Sequence, residues 1–596
     1  MLINLFHTDY LVAWESKSLF ILRWKGGRRE EMVRVGRSST GLYKMLVKWV
    51  TVSSIVGFLT GLLVSLLEIS VLDASELMLR RIAESGYLWL VPIVPFVGIS
   101  LTGILRDRLT KLPHFHGTEE VLEAYHYRDG EMILRDAPVK TLGAVLTVGS
   151  GGSAGLEGPS IHIGGAVGAA VKRLMDRLGI EEDGRILLLT GAASGMSAIF
   201  KAPLTGLMFA LEVPYKDDMA HQAVVPALIS SVVSYLTLIS ILGAEPIFKA
   251  FKSFGEVDLY IISIGLLEGL VMGIFSVIFV RTVSLVEKIM EGRSYTMRGI
   301  VGGASVGLLA TVTLLATETL YPFGLSYELV RLSFKGGDTT FFFGMAVLKM
   351  IATALTIGSA GIGGVFIPSI VIGASLGSAM SSLDPSVTSL FVALGMSSFL
   401  AAAFKTPLAA VSFVAETTGS EAYVIPGLVA SAVAYIVSGK YSLPKNQKVV
   451  ETTKIEELER VKVKELMVSP PPVLRDDLTV KEFFNRYFLK YRDHFVFPVK
   501  AKDGRIVGIV ALRDVNNIPT SEWDRVKLID IVRKVDFLRP DDNLMTALDK
   551  MYEFGVCCLP VIDPKKGSVV GILSADAIVM FLEQKRKLKK AALFLR

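Results

Sequence analysis

The sequence predicts an all-α multi-pass membrane protein followed by a soluble α/β module. Hydrophobic residues make up 51% of the 596 residues and charged residues only 20%, with a mean hydropathy of +0.51. The chain is thus too apolar for an ordinary soluble protein and too long for one domain. Two further observations support this class: the composition changes near Thr453, and the apolar part contains a long internal repeat.

Several apolar windows are long enough to cross a bilayer. A hydrocarbon core about 30 Å thick needs roughly 20 apolar residues in a helix. Windows free of formal charge are Trp49–Leu67, Tyr87–Leu105, Gln222–Ala244 and Ala422–Gly439. Shorter segments dense in Gly, Ala and Ser predict broken or re-entrant helices that line a site at membrane depth, namely Arg185–Phe200, Thr356–Met380 and Phe391–Phe404.

The first 47 residues predict a cytosolic leader. They contain no short apolar core followed by a small-residue cleavage site, and basic residues cluster between Arg23 and Lys48, as the positive-inside rule requires. The segment Gly26–Glu31 has the composition that a ribosome-binding sequence would encode, so Met32 is an alternative start. We expect a cell-membrane protein with the N-terminus and the soluble module in the cytosol.

Charge and cysteine content exclude several classes of partner. The formal net charge is +6, from 63 basic and 57 acidic residues, and without a concentrated basic face it does not predict a nucleic-acid binder. The two cysteines, Cys557 and Cys558, are neighbours and cannot build an extracellular disulfide framework. No metal-ligand cluster, nucleophile elbow or phosphate-binding loop indicates an enzyme.

The soluble module contains two similar units about 63 positions apart. Asp476–Leu478 corresponds to Asp541-Asp542, Phe497–Val499 to Leu559–Val561, and Gly508–Val510 to Gly571–Leu573. Over residues 461–589 this resembles a CBS-domain pair, after a linker at 443–460 and before a tail at 590–596. The resemblance implies no required cofactor and a candidate adenine-nucleotide site at Asp514, Ser574 and Asp576; a purely structural or dimer-stabilising role is the alternative.

The membrane body is a duplication, the strongest clue to the fold. Thr147–Gly164 aligns without a gap with Thr356–Gly373, which lies 209 positions later, so that Glu157 falls on Phe366. Phe200–Glu212 likewise aligns with Phe404–Glu416. The domain at 48–442 therefore has two related halves, about 48–245 and 257–442.

Repeats of this kind are typical of transport proteins whose substrate binds near the bilayer midplane. Each Gly-rich turn leads into a proline in the first turn of a helix, Pro159 or Pro368. Each therefore aims free N–H groups and a positive helix end at the turn, and two such ends would hold an anion. Close helix packing is the alternative reason for the glycines.

The motifs Gly155–Pro159, Gly364–Pro368 and Gly439–Ser442 resemble those of the CLC family of chloride channels and chloride/proton exchangers. The resemblance implies a CLC-type inverted repeat of broken and tilted helices and a homodimer in the lipid bilayer with one path per subunit for chloride or a similar small anion. It also implies that Glu157 is the gate and that the anion-binding residues are Val365, Phe366, Tyr441, Gly117, Thr118 and Gly158. Tyr441 could instead be an interfacial aromatic anchor.

Two positions depart from the family pattern. His116 replaces the anion-binding serine in Phe115–Glu120, where Thr118 offers a substitute hydroxyl; His116 could also point elsewhere. Val213 replaces the inner glutamate of proton exchangers, which favours a gated channel because valine cannot relay a proton.

Three alternatives stay open. A chloride/proton antiporter would use Glu212 or His162 as its proton path, although a structural role at a helix end for Glu212 and Glu416 and a packed, hydrogen-bonded His162 are the simpler interpretations. Lys201 and Lys405 could simply lie in helix-entry turns. A CBS-regulated cation transporter is the remote alternative, since it would need clustered membrane acids.

Overall fold

Long helices build the part of the chain that the sequence assigns to the membrane. The computed structural model describes residues 10–15, 18–25, 28–35, 39–80, 89–112, 117–248, 256–450, 458–459, 461–491, 494–582 and 584. The chain forms two compact units, Met1–Glu451 and Thr452–Arg596. In the first unit, eight helices of the described residues are long and apolar enough to cross a bilayer, so the chain is a multi-pass membrane protein.

Sixteen α-helices form the described part of the membrane unit. Those of the first half are α1 (Ser39–Ser75), α2 (Leu90–Leu109), α3 (Thr118–Tyr127), α4 (Asp136–Gly149), α5 (Glu157–Arg177), α6 (Gly184–Phe200), α7 (Pro203–Glu212) and α8 (Val224–Leu242). Those of the second half are α9 (Leu259–Met290), α10 (Tyr295–Thr317), α11 (Tyr327–Ser333), α12 (Thr339–Ile357), α13 (Phe366–Met380), α14 (Thr388–Phe404), α15 (Pro407–Thr418) and α16 (Val424–Val437).

The N-terminal leader differs from the prediction in two ways. Helix α1 begins at Ser39, earlier than the apolar window at Trp49, because a helix continues into water beyond the hydrocarbon span. Before it, β1 (Tyr10–Glu15), β2 (Ser18–Lys25) and β3 (Arg28–Val35) form an antiparallel sheet in that order.

The Gly- and Ala-rich segments form the centre of the membrane unit. Helices α13 and α14 are buried along nearly their whole length, and α6 is buried on nearly all sides. Small residues allow this packing, since a Cβ on Gly191 would lie 1.8 Å from the carbonyl oxygen of Gly164, where α5 and α6 cross. A helix that is apolar all round belongs inside a larger helical body, as the sequence predicts for these segments.

The two halves have matching helix ends. Helices α6 and α14 both end at a lysine in the left-handed conformation, Lys201 (φ 51°) and Lys405 (φ 60°). Helices α7 and α15 then both begin at a proline that occupies the first helical position. The repeat in the sequence is thus a repeat in the structure.

The predicted linker at 443–460 begins with residues that contact the membrane unit. Its first residues belong to the membrane unit, because the Gln447 side-chain amide donates to the carbonyls of Tyr215 (3.1 Å) and Phe404 (2.9 Å). The carbonyls of Lys448 and Val449 also accept from nearby N–H groups. The boundary between the units lies between Glu451 and Thr452.

The C-terminal unit is α/β and contains two similar halves. In the first half, β4 (Leu474–Arg475) is parallel to β5 (Val496–Lys500), which is antiparallel to β6 (Ile506–Ala511); in the second, β7 (Cys558–Ile562) is antiparallel to β8 (Val569–Ser574). The described α-helices of this unit include α17 (Val463–Leu466), α18 (Val480–Glu482), α19 (Leu512–Val515), α20 (Leu528–Ile531) and α21 (Leu544–Glu553).

Two apolar cores fill the C-terminal unit. One includes Phe483 and Phe497, and the other includes Leu544 and Leu559. The unit therefore has its own buried interior, which is what allows a segment to fold as a domain.

Candidate functional site

The two Gly-rich turns of the repeat meet in the middle of the membrane unit. Gly155 and Gly364 exchange two backbone hydrogen bonds, each of 2.8 Å. On either side, the N–H of Ser153 donates to Thr356 Oγ1 (3.0 Å), and the N–H of Ile362 donates to Thr147 Oγ1 (3.1 Å). Every contact has its counterpart 209 positions away, so a local two-fold relation holds the turns together.

Glu157 and Phe366, the aligned residues of the repeat, are in direct contact. Glu157 is the first residue of α5, and its Oε1 accepts the N–H of Phe366, the first residue of α13, at 2.5 Å. The side chain is 1% exposed, and Oε2 has no hydrogen-bond partner among the described residues. The carboxylate therefore occupies the positive end of a helix from the other half of the chain, where an anion would bind.

A third helix begins beside these two. Gly117 precedes α3 with φ 118°, and a Cβ there would lie 2.5 Å from the carbonyl oxygen of Gly158. Gly117, Thr118 and Gly158 thus lie together at the N-terminal ends of α3 and α5. His116 lies outside the described residues, so its role stays a prediction.

A cavity of about 80 Å³ leads to Glu157. Thr118, Gly364 and Val365 line it beside the carboxylate. Glu119, Glu287 and Lys445 also line it, and the Glu287 carboxylate is 2.6 Å from the Lys445 ammonium. Main-chain and hydroxyl groups of this lining can donate hydrogen bonds to a small anion.

Tyr441 does not line this cavity. Arg281 Nη2 donates to its hydroxyl at 2.6 Å, and the Arg281 guanidinium lies 4.8 Å from the ring centre. Leu443 and Pro444 line the cavity wall in its place. The geometry gives no support to the predicted hydroxyl contact with the anion, because the chain after α16 turns the tyrosine toward α9.

Glu212 and Glu416 cap each other's helices. Glu212, the last residue of α7, accepts the N–H groups of Leu408 (3.1 Å) and Ala409 (2.8 Å) in α15. Glu416 in turn accepts the N–H groups of Leu204 (2.9 Å) and Thr205 (2.7 Å) in α7. These contacts agree with a structural role at a helix end for both residues. The Glu212 carboxylate is hydrogen-bonded to two N–H groups of α15.

The two equivalent lysines also contact helix ends. Lys405 Nζ donates to the carbonyl of Tyr435 (2.9 Å) and to Ser438 Oγ (2.6 Å) at the end of α16. Lys201 Nζ lies 3.5 Å from the carbonyl of Leu242 at the end of α8. A positive charge stabilises the carbonyl end of a helix, so these lysines have a structural reason to be present.

His162 lies in a buried charge cluster that sequence analysis did not find. Its Nε2 is 2.8 Å from Glu120 Oε2, and the Lys140 ammonium contacts the same oxygen. All three side chains are almost fully buried. The simpler interpretation of His162 as a packed, hydrogen-bonded residue matches these contacts. Glu120 is the last residue of the motif Phe115–Glu120 that departs from the family pattern, a signal that could have pointed to the cluster.

The candidate nucleotide residues of the C-terminal unit are only partly free. Asp514 is buried; its Oδ1 accepts from Arg533 Nε (2.6 Å) and its Oδ2 from the N–H of Ala511 (2.9 Å). Ser574 Oγ accepts the N–H of Ala577 (3.2 Å), whereas the Asp576 side chain is exposed. Asp514, the residue assigned to a ribose, is already paired within the protein.

Family models agree with this architecture. Residues 98–439 match the model described as voltage gated chloride channel, and residues 463–518 and 528–584 each match the CBS domain. A curated relative, an uncharacterised protein of Methanocaldococcus jannaschii, is 25% identical over 399 residues, which cover 66% of this chain and 94% of the relative.

Solved structures give the same result. A CLC-type fluoride/proton antiporter is 25% identical with a TM-score of 0.60, covering 68% of this chain and 99% of the other. A slow cyanobacterial Cl⁻/H⁺ antiporter is 22% identical (TM-score 0.57; 65% and 94% covered), and a eukaryotic CLC transporter is 19% identical (TM-score 0.57; 90% and 98% covered). The chain therefore belongs to the CLC family of anion-transport proteins and carries a C-terminal CBS pair.

Proposed function

We propose that the chain conducts chloride or a similar small anion across the cell membrane and that Glu157 is the gate. The observation that carries this proposal is the hydrogen bond from the Phe366 N–H to Glu157 Oε1. A carboxylate held there competes with an anion for the same helix end. Protonation removes the negative charge of the Glu157 carboxylate. The amides at Val365 and Phe366 then become available to the anion.

Of two possible transport mechanisms, a passive, gated channel is the first. Val213 stands where exchangers of the family have an acid, and the carboxylate of Glu212 is occupied by two N–H groups of α15. Neither residue then offers a free acid for proton relay. The proton antiporter is the second form, because the solved structure at 25% identity is a fluoride/proton antiporter. Fluoride thereby joins chloride as an anion to test.

The proposal includes a dimer, an orientation in the membrane and a candidate nucleotide site. A homodimer in the bilayer would cover exposed apolar side chains such as Leu228, Leu236, Leu428 and Ile436 on α8 and α16. The N-terminus and the CBS pair are placed in the cytosol on the basis of the basic leader. Adenine-nucleotide binding at Ser574 and Asp576 stays a prediction from the sequence.

The test is anion flux from vesicles that contain the purified protein, measured for chloride and fluoride between pH 5 and pH 8. We expect flux to rise as the pH falls in the wild type. Glu157→Gln should be fast at every pH, since its side chain is neutral throughout. Glu268→Gln is the matched control, because Glu268 is an equally buried acid elsewhere in the membrane unit, and it should keep the wild-type profile.

Two outcomes separate the alternatives. A reversal potential that ignores an imposed proton gradient assigns the protein as a channel, whereas one that follows it assigns an antiporter. Cation flux that disappears in Glu157→Gln, without anion flux in any variant, would contradict the proposal.

A further inference from the structure

Lys349 is a fully buried cation whose hydrogen-bond partners are all neutral. It lies on α12, and its ammonium donates to the carbonyls of Pro322 (3.1 Å) and Gly324 (3.0 Å) and to Ser326 Oγ (2.8 Å). Among the described residues, no carboxylate lies within 4.0 Å of it. A charge buried at membrane depth is costly unless an opposite charge compensates it.

The loop that holds Lys349 packs on the turn that carries the gate. The N–H of Gly324 donates to the carbonyl of Gly151 at 3.3 Å, and Gly151 belongs to the Gly-rich turn before Glu157. The carboxylate whose charge acts on the Lys349 ammonium is that of Glu157. Three neutral acceptors thus fix the position of a positive charge relative to the gate.

Other titratable groups surround the same region. The charges of Glu68 on α1, Glu157 and Arg331 act on Tyr327, which begins α11 directly after Ser326. Lys201 acts on Glu68. Of the charged groups named here, Lys349 is the cation that acts on Glu157, beside the backbone N–H groups at the start of α13.

We propose that Lys349 is the fixed counter-charge of the gate, so that its ammonium keeps the Glu157 carboxylate ionised against the Phe366 amide and sets the pH at which the gate opens. This inference rests on the proposed function of Glu157. It assigns Lys349 a positioning role, because the lysine acts on the anion path through Glu157 rather than by contact with the anion.

The experiment is the pH profile of anion flux from vesicles for Lys349→Gln, which keeps two N–H donors for the loop but removes the charge. Without the ammonium, Glu157 takes up a proton more readily, so the pH of half-maximal flux should rise by about one unit, the usual size of an environmental displacement of a side-chain pKa in folded proteins. Lys349→Arg should restore the wild-type midpoint. In a Glu157→Gln background, Lys349→Gln should leave flux independent of pH.

Lys405→Gln is the matched control, since Lys405 is another buried lysine bound to a carbonyl and a serine, at the end of α16. Its midpoint should equal that of the wild type. If Lys349→Gln does not fold, Ser326→Asp places a carboxylate beside the ammonium, neutralises its field and should also raise the midpoint; Ser326 has φ 62°, which aspartate tolerates.

The outcomes distinguish the two proposals. In one outcome, the wild type shows a clear pH profile and the midpoint of Lys349→Gln, or of Ser326→Asp if that variant replaces it, equals that of the wild type. This result overturns the role of Lys349 but leaves the proposed gate intact. A wild type that carries no anion flux removes the proposed function, and the inference falls with it. A midpoint shift that persists in Lys349→Arg would also contradict the inference, since the charge is then retained.

Discussion

At the residue scale, the space around Glu157 is reserved for its carboxylate. A Cβ added at Gly155 would lie 2.0 Å from Glu157 Oε2, and one added at Gly364 would lie 1.9 Å from Oε1. Neither glycine has a positive φ, so space rather than backbone conformation requires glycine there. The close approach of two turns and one side chain explains why both motifs have glycine at this position.

Gly364→Ala should displace the gate. The added methyl group cannot coexist with Oε1, and the end of a glutamate side chain moves more easily than the bridged backbone. We expect anion flux at pH 7.5 to increase several-fold and its pH dependence to weaken, as measured in vesicles.

Gly344→Ala is the matched control for this substitution, because no atom lies within 4 Å of a Cβ at that position of α12. Its flux should equal that of the wild type. An unchanged flux in Gly364→Ala would show that the carboxylate does not block the path from this position.

The sequence predicts Glu157 beside Phe366, because the gap-free repeat aligns the two residues. It does not determine the position of Tyr441, since the irregular chain after α16 decides which side chain reaches the cavity. Lys349 was missed because a single charge within a long apolar helix belongs to no motif. His116 stays untested by the described residues.

At the scale of elements, α7 and α15 stabilise one another through their ends. Each helix begins at a proline and leaves N–H groups that its own carbonyls cannot satisfy. The acid at the end of the partner helix accepts two of them in both directions. The pair therefore behaves as one unit with two equivalent caps, which explains why both halves of the repeat keep the glutamate.

Removing either cap should lower stability rather than transport. Glu416→Ala and Glu212→Ala each leave two N–H groups unpaired, and the loss of such a cap costs about 1 kcal/mol. Thermal unfolding in detergent should begin at a lower temperature for both variants, while Glu421→Gln, a change at an exposed acid, should match the wild type.

A conservative variant at Glu212 tests the proton path. If Glu212 only caps α15, Glu212→Gln should leave any proton flux unchanged relative to anion flux. Loss of proton flux with unaltered stability would contradict the capping role and favour the antiporter.

The helix bounds show what sequence patterns can determine. The charge-free apolar windows correspond to three of the eight described helices that are long enough to span, Leu46–Met78, Leu90–Leu109 and His221–Leu242, because the hydrocarbon thickness sets their length. They did not include Leu259–Met290, Tyr295–Thr317 and Thr339–Ile357, whose sequences contain charged residues. The windows also missed the start of α1 at Ser39, because hydropathy does not indicate where a helix begins outside the hydrocarbon core. The Gly- and Ala-rich helices α6, α13 and α14 were recognised as buried because only small residues permit such close crossings.

At the scale of the whole molecule, the chain consists of a membrane unit and a C-terminal unit, each with its own apolar cores. The change in composition near Thr453 lies next to this boundary. It says nothing about how residues 443–450 pack, because composition reports solubility and not packing. This segment is hydrogen-bonded to the membrane unit through Gln447 and the carbonyls of Lys448 and Val449.

Truncation should distinguish the two parts of the predicted linker. A chain that ends after Glu451 keeps the contacts of Gln447 and should fold and conduct anions. A chain that ends after Ser442 loses those contacts and the cavity wall at Leu443 and Pro444, and should unfold at a lower temperature. Gel filtration, thermal unfolding and vesicle flux provide the measurements, and equal behaviour of both truncations would contradict this division.

The paired turns at Gly155 and Gly364 restrict how the protein can work. Their two mutual hydrogen bonds, reinforced by Thr147 and Thr356, tie the halves together beside the Glu157 carboxylate. Rocking of one half against the other would break all four bonds in every cycle. Rotation of the Glu157 side chain about its own bonds breaks none of these four hydrogen bonds. Such a rotation needs no displacement of the helices and occurs far faster than domain motion.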